Sequence, residues 1–188
     1  MSFSENILYV IETEQLRGRT EERIRMLAEQ LPGIPENADL TVARTEKGKP
    51  YFRFLKEHLH VSVTHSGRYW MCLFSPCPVG LDLQIHTEKN HPERIARRFF
   101  HPEEVEYLSG REEEAFFSLW TAKESYVKYT GTGIAGQLNT FSVIQNGTIK
   151  KEIEGIPLRF LEKFPQYTCC VCGGAEGPIR IIRIQDPV

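Results

Sequence analysis

The stretch Phe117-Ser118-Leu119-Trp120-Thr121-Ala122-Lys123-Glu124-Ser125-Tyr126-Val127-Lys128, read with Gly80-Leu81-Asp82-Leu83-Gln84 upstream of it, decides how this chain is organised. The first segment spells a helix on which Trp120, Glu124 and Lys128 follow at i, i+4 and i+8 and share one stripe, with Lys123 on its flank. The second spells a strand, with Asp82 and Gln84 on one face and Leu81, Leu83 and Ile85 on the other. Two carboxylates and two ammonium groups drawn from separate elements suit a hard divalent cation carrying a phosphorylated ligand. Phosphoryl chemistry is the first functional class these residue types suggest. The helix spacing alone is equally compatible with a surface pair between Glu124 and Lys128, worth roughly 0.2–0.5 kcal/mol.

Working towards the N-terminus, Ile7 to Ile11 reads as a short strand, and Thr20 to Leu31 as a helix that stops at Pro32-Gly33. Asp39 to Arg44 and Pro50 to Phe54 read as strands around the turn Glu46-Lys47-Gly48-Lys49. Val61 to His65 alternates, Ser66-Gly67-Arg68 turns, and Tyr69 to Ser75 returns as the second arm of a hairpin, to which Val79 to Ile85 adds a third strand. Towards the C-terminus, Pro92 to Phe100 is a helix, a second begins near Pro102, and the long one runs from about Glu112 to Tyr129, ended by Gly131-Thr132-Gly133. Phe141 to Gln145, Thr148 to Ile153, Leu158 to Leu161, Tyr167 to Cys172 and Ile179 to Gln185 read as β strands. The expected class is α+β, divided near residues 86 to 91 into halves 1–88 and 89–188 that each combine helices with antiparallel strands, without a visible sequence repeat.

The 188 residues, 40% hydrophobic and 26% charged, suffice to bury a sizeable core. A net charge of −2 gives no global electrostatic reason to expect nucleic acid or an anionic membrane as partner, so an anionic ligand must be held locally. Neither a signal-like leader nor a run of roughly 18 apolar residues is visible, and a cytoplasmic location is expected. Five cysteines, an odd number, are expected as reduced thiols; Cys169-Cys170-Val171-Cys172 reads more plainly as a strand than as zinc ligands, whose pairs are usually spaced by two residues.

G-x-D-x-(E/Q) followed by W-x-x-K-E-(S/A)-x-x-K resembles the signature of the 4′-phosphopantetheinyl transferases. The resemblance takes in Gly48-Lys49-Pro50, Val61 to Gly67, the Asp82 strand, Arg97 to Glu104 and the Trp120 helix, over residues 48 to 134. The surfactin-type branch of that family is built as two similar α+β halves with the active site between them. The resemblance implies transfer of the phosphopantetheine arm of coenzyme A to a serine of an acyl or peptidyl carrier protein by a monomer, with Mg²⁺ held by Asp82 and Glu124. Gln84 stands where many surfactin-type members carry a glutamate; its neutral carbonyl would be a weaker third metal contact.

By the same resemblance Glu104 is the acid associated with activating the acceptor hydroxyl, directly or through water. Its plainer reading is an acidic first helical turn. Lys123 and Lys128 are candidates for the pyrophosphate, Thr64 and His65 for the ribose 3′-phosphate, and Gly48, Lys49 and Pro50 for the adenine. Arg17 and Arg19, with Thr20 beside them, match basic residues near the 3′-phosphate, although an upstream basic helical segment of longer relatives has no counterpart here. Arg94, Arg97 and Arg98 form a basic stripe suited to an acidic carrier, or else a solvated face. Two other classes compete: a non-catalytic coenzyme A or carrier-binding module, and an Mg²⁺-dependent nucleotide hydrolase.

Overall fold

The computed structural model describes residues 3–14, 18–55, 58–87, 92–133 and 138–187. In chain order the elements are β1 (Asn6–Glu12), α1 (Thr20–Ala28), β2 (Val42–Arg44), β3 (Pro50–Phe52), β4 (His60–Ser66), β5 (Tyr69–Ser75) and β6 (Val79–Ile85). They continue with α2 (Pro92–Phe99), α3 (Pro102–Leu108), α4 (Glu113–Thr130), β7 (Ile144–Gln145), β8 (Thr148–Ile149), β9 (Glu152–Ile153), β10 (Ile156–Phe160), β11 (Tyr167–Gly173) and β12 (Ile179–Ile184). The class is α+β, as expected. The boundary at residues 88 and 89 lies outside the described residues, as do Arg17 and Ile134.

Two four-stranded sheets carry the fold, ordered β12-β1-β5-β4 and β6-β11-β10-β9. The second is antiparallel throughout, whereas the first is mixed because β12 joins β1 in parallel, Asn6 opposite Ile179. Both sheets therefore draw strands from either side of residues 86 to 91. β5 is buried along its whole length, which follows from its position between two cores. Trp70, Cys72 and Phe74 on one face meet Ile24, Leu27 and Ala28 of α1; Met71 and Leu73 on the other meet Leu81, Leu83 and Val171 of the second sheet. The far face of the second sheet is covered by α4, on which α2 and α3 pack in turn, and Ala96, Phe117, Leu119 and Ala122 share a core with Cys170 and Cys172. The layers thus run α1, first sheet, second sheet, then α2 to α4.

β6 extends neither sheet of the β4–β5 hairpin through its backbone; its ladder partner is β11, with Asp82 opposite Cys170. Side chains make the junction with β4 instead. The hydroxyls of Ser62, Thr64 and Ser66 accept from the backbone N–H groups of Leu81 (2.9 Å), Leu83 (3.2 Å) and Ile85 (2.9 Å). The alternation of β4 therefore turns hydroxyls inward to satisfy β6 amides that would otherwise be buried without partners.

Gly80 sets the approach of α4 to β6. A Cβ built there would lie 1.9 Å from the Ser125 carbonyl oxygen and 2.5 Å from the Tyr129 nitrogen, so helix backbone rests directly on strand backbone. α4 ends where expected, with Gly131 in the left-handed region at φ 73° and its N–H bonded to Val127 O. The read strand Thr148 to Ile153 is broken at Lys150, whose N–H turns back to Val143 O. Cys72, Cys169, Cys170 and Cys172 are buried free thiols and Cys77 is an exposed one. Burial pushes Cys170 and Cys172 up to about 12, which suits packed strand residues rather than thiolate ligands.

Gly80→Ala should cost about 3 kcal/mol or more, because the clash is with backbone and cannot be relieved by a rotamer change. Thermal unfolding followed by circular dichroism should show a midpoint lower by roughly 10 °C; an unchanged midpoint would contradict the backbone contact.

Candidate active site

A cavity of about 340 Å³ opens between the β2–β3 hairpin, β4 and the second half of α4. Its walls include Arg44, Lys47, Gly48, Lys49 and Pro50 from the hairpin, Ser62 and His65 from β4, and Glu124, Lys128, Gly131 and Gly133 from α4 and its exit. Arg44, Lys47, Lys49 and Lys128 thus share the lining with one carboxylate, that of Glu124.

The hairpin is fixed from both sides. Gly48 sits at φ 86° and its carbonyl accepts from Arg44 Nη1 at 2.9 Å. Lys49 turns its ammonium into the protein, donating to Tyr129 O at the end of α4 (2.8 Å) and to Val79 O (3.4 Å). Burial pushes this ammonium down to about 8. The Lys47 stem packs near Gly133, where an added Cβ would lie 3.5 Å from Lys47 Cβ.

At the other wall, Lys128 Nζ contacts Asp82 Oδ1 at 2.7 Å and Leu81 O at 3.0 Å. Thr64 is buried and donates to the same Asp82 oxygen at 3.2 Å, so its hydroxyl orients the carboxylate. Asp82 Oδ2 and Glu124 Oε1 are buried and have no hydrogen-bond partner. Burial, and secondarily the Asp82 carboxylate, push Glu124 up to about 7, while the Lys128 ammonium pulls the other way. Two unpartnered carboxylate oxygens from facing elements fit a hard divalent cation, which takes one or two carboxylates and completes its shell with water or phosphate oxygens. Among the described residues no third acidic, histidine or cysteine side chain joins them as a metal-binding group. Gln84 is half-buried and its amide nitrogen donates to Ile85 O at 3.3 Å.

The remaining candidates are distributed as follows. His65 lines the cavity. Arg19 does not; its exposed guanidinium pairs with Glu22 at 3.0 Å, while Thr20 beside it does line the cavity. Lys123 and Glu104 lie away from the cavity, both wholly buried and paired with each other at 2.7 Å. Burial pulls the Lys123 pKa down, and the Glu104 carboxylate opposes that. Arg44, Lys47, Gly131 and Gly133 were not legible as site residues, because they flank the hairpin and helix end that the fold brings together.

The model of the 4′-phosphopantetheinyl transferase superfamily matches residues 78–172. The 4′-phosphopantetheinyl transferase gsp of Aneurinibacillus migulanus is 33% identical over 158 residues, covering 79% of this chain and 64% of that protein. The putative 4′-phosphopantetheinyl transferase slr0495 of Synechocystis sp. is 37% identical over 127 residues, covering 61% of this chain and 48% of that protein. A 4′-phosphopantetheinyl transferase of Bacillus subtilis is 35% identical over 161 residues, covering 79% and 69% respectively. The matched stretch thus spans between 48% and 69% of the length of these relatives.

Glu124 gives the folded chain a pH-dependent weakness. Between its ordinary value of 4.5 and about 7 the folded chain keeps a proton that the unfolded chain has released, so stability falls as pH rises through that window. The loss is about 3 kcal/mol and complete above pH 7. Urea unfolding at pH 5 and pH 8 should show it, and Glu124→Gln, which cannot ionise, should remove most of it; an equally steep pH dependence in the variant would assign the loss elsewhere.

Proposed function

The chain belongs to the 4′-phosphopantetheinyl transferase superfamily, and from that premise we propose that it transfers the phosphopantetheine arm of coenzyme A to a carrier-protein serine, releasing 3′,5′-ADP. The observation that carries this reading is the pair of buried, unpartnered oxygens, Asp82 Oδ2 and Glu124 Oε1, beside a cavity walled by cations. Such a site suits a polyanion bound through a divalent metal.

Asp82 and Glu124 would hold Mg²⁺, and Thr64 keeps Asp82 oriented for it. Bound there, the ion would supply Lewis acidity that offsets charge on the pyrophosphate oxygens. Lys128 borders both the carboxylates and the cavity, so its ammonium is placed to compensate charge on the leaving nucleotide. The backbone at Gly48, Lys49 and Pro50 offers a close surface to the adenine, held in place by Lys49 at the end of α4. His65, with Arg44 and Lys47 across the cavity, suits the ribose phosphate. The serine oxygen bonds to the β-phosphorus, the bond to the departing 3′,5′-ADP breaks, and the hydroxyl proton leaves to water in the site.

Among the described residues no helix is long and apolar enough to cross a membrane. The reading includes a monomer working in the cytoplasm on an acidic acyl or peptidyl carrier. Arg94, Arg97 and Arg98 are exposed on α2, where Arg97 makes a loose contact with Glu93 at 3.9 Å, so this face can steer such a partner.

Incubation with coenzyme A, Mg²⁺ and an apo carrier protein, followed by mass analysis, tests the reading. A carrier gaining the phosphopantetheine mass supports it; release of 3′,5′-ADP without modification makes the chain a hydrolase, and binding without either product makes it a binding module. Glu124→Gln should lower the rate by about 100-fold or more. Reversing Arg94 and Arg97 to glutamate should raise KM for the carrier by about tenfold and leave KM for coenzyme A unchanged; an unaltered carrier KM removes α2 from the docking face.

A further inference from the structure

Glu104 and Lys123 are chemistry-bearing side chains that the cavity does not use. Both are wholly buried and joined by two short contacts, Lys123 Nζ to Glu104 Oε1 at 2.8 Å and to Oε2 at 2.7 Å. An ion pair removed from water costs desolvation that only dense hydrogen bonding offsets. This one has it.

Further protein groups bond to both members of the pair. Glu104 Oε2 accepts from His101 N at 3.0 Å, closing a capping box on the first turn of α3. Glu104 Oε1 accepts from Val143 N at 2.7 Å. Lys123 Nζ donates to Phe141 O at 2.6 Å, and its charge lies 4.2 Å from the Phe141 ring centroid and 5.7 Å from that of Phe100. Three segments meet here: the start of α3, the middle of α4, and residues 141–143. A general base needs a lone pair within reach of the proton it takes. The Glu104 lone pairs are spent on His101, Val143 and Lys123, at a side chain with 0% exposure.

The placement on α4 gives the pair a different use. Lys123 is the immediate neighbour of Glu124 and lies five residues before Lys128. Successive helix residues are turned by about 100°, so anchoring Lys123 against α3 and residues 141–143 fixes the angle at which Glu124 faces the cavity. Gly80 limits only how near α4 lies to β6. Lys128 ties α4 to β6, and the pair adds a directional contact that ties it to α3 and to residues 141–143.

We propose that Glu104 and Lys123 are positioning residues, a buried latch that sets the rotation of α4 and so presents Glu124 and Lys128 to the metal and pyrophosphate, without themselves touching substrate. This rests on the transferase reading above. Removing one partner strands a buried charge that forces the segments apart, whereas Glu104→Gln with Lys123→Met leaves a neutral, packed contact between α3 and α4 that can still hold the rotation, so single and double variants differ.

The test is a cycle of Glu104→Gln, Lys123→Met and the double variant, each assayed for carrier modification and melted without ligands. Each single variant should lose about 100-fold in kcat/KM through misplacement, need about tenfold more Mg²⁺ for half-saturation, and melt roughly 10 °C lower. The double variant should recover to within about fivefold of the original chain, with the original pH profile, and regain most of the lost melting temperature. A double variant that folds yet stays as inactive as Glu104→Gln alone makes Glu104 a reacting group and overturns the latch, as does additivity of the three melting shifts. Should either single variant fail to fold, the double variant against the original chain still decides between these outcomes. An original chain that modifies no carrier overturns instead the reading on which the latch rests.

Discussion

The fold and the site both depend on how closely α4 lies against β6 at Gly80. On a strand, residues 80 and 82 share a face, so the position that admits the helix backbone is followed on that face by the carboxylate that must meet the helix side chains. With Ser125 O and Tyr129 N over Gly80, Lys128 reaches Asp82 at 2.7 Å, and the buried Glu124 feels the same carboxylate. A larger residue at 80 would lift the helix and lengthen every one of those contacts. The glycine and the aspartate of the Gly80-Leu81-Asp82 run are thus one device: the first makes room and the second uses it.

β6 can serve this purpose because both of its edges are satisfied by different means. One edge pairs by backbone with β11; the other is met by hydroxyls of β4, each hydrogen bond contributing about 1 kcal/mol where an unmet buried amide would cost more. Thr64 goes furthest, accepting from Leu83 N and donating to Asp82, so the joint between the sheets also orients the site. The opposite face of β6, carrying Leu81 and Leu83, is sealed in the core between the sheets. Asp82 therefore has little freedom to relax away from Glu124.

Local pattern in the sequence made α4, its glycine stop and the alternation of β4 and β6 readable, since these are set by periods of 3.6 and 2. Connections over long separations were not readable. Nothing in Ile179 to Ile184 announces parallel pairing with β1, nor in Tyr167 to Gly173 the capture of β6, because pairing partners are chosen by packing rather than by either segment alone. The helical stripe correctly brought Glu124 and Lys128 together, but it could not tell which flank was buried. α4 packs on the second sheet on one side and on α2 and α3 on the other, so Lys123, which looks like a solvated lysine, lies inside the protein with Glu104. Hydroxyls on an alternating strand likewise look solvent-facing until a neighbouring edge claims them.

The site stores charge in a form that ligands can exchange. Asp82 is covered by Lys128, and below about pH 7 Glu124 is covered by its own proton. On the proposed reading, Asp82 and an ionised Glu124 would hold a divalent cation, and Lys128, which borders both Asp82 and the cavity, would offset charge on the polyanion. A cation and a polyanion bound there would each bring charge that the other offsets. The cost is a folded state weakened by a buried carboxylate pair, and the rigidity that sustains it comes from contacts outside the cavity: backbone on backbone at Gly80, hydroxyl on amide along β4, and ammonium on carboxylate between Lys123 and Glu104.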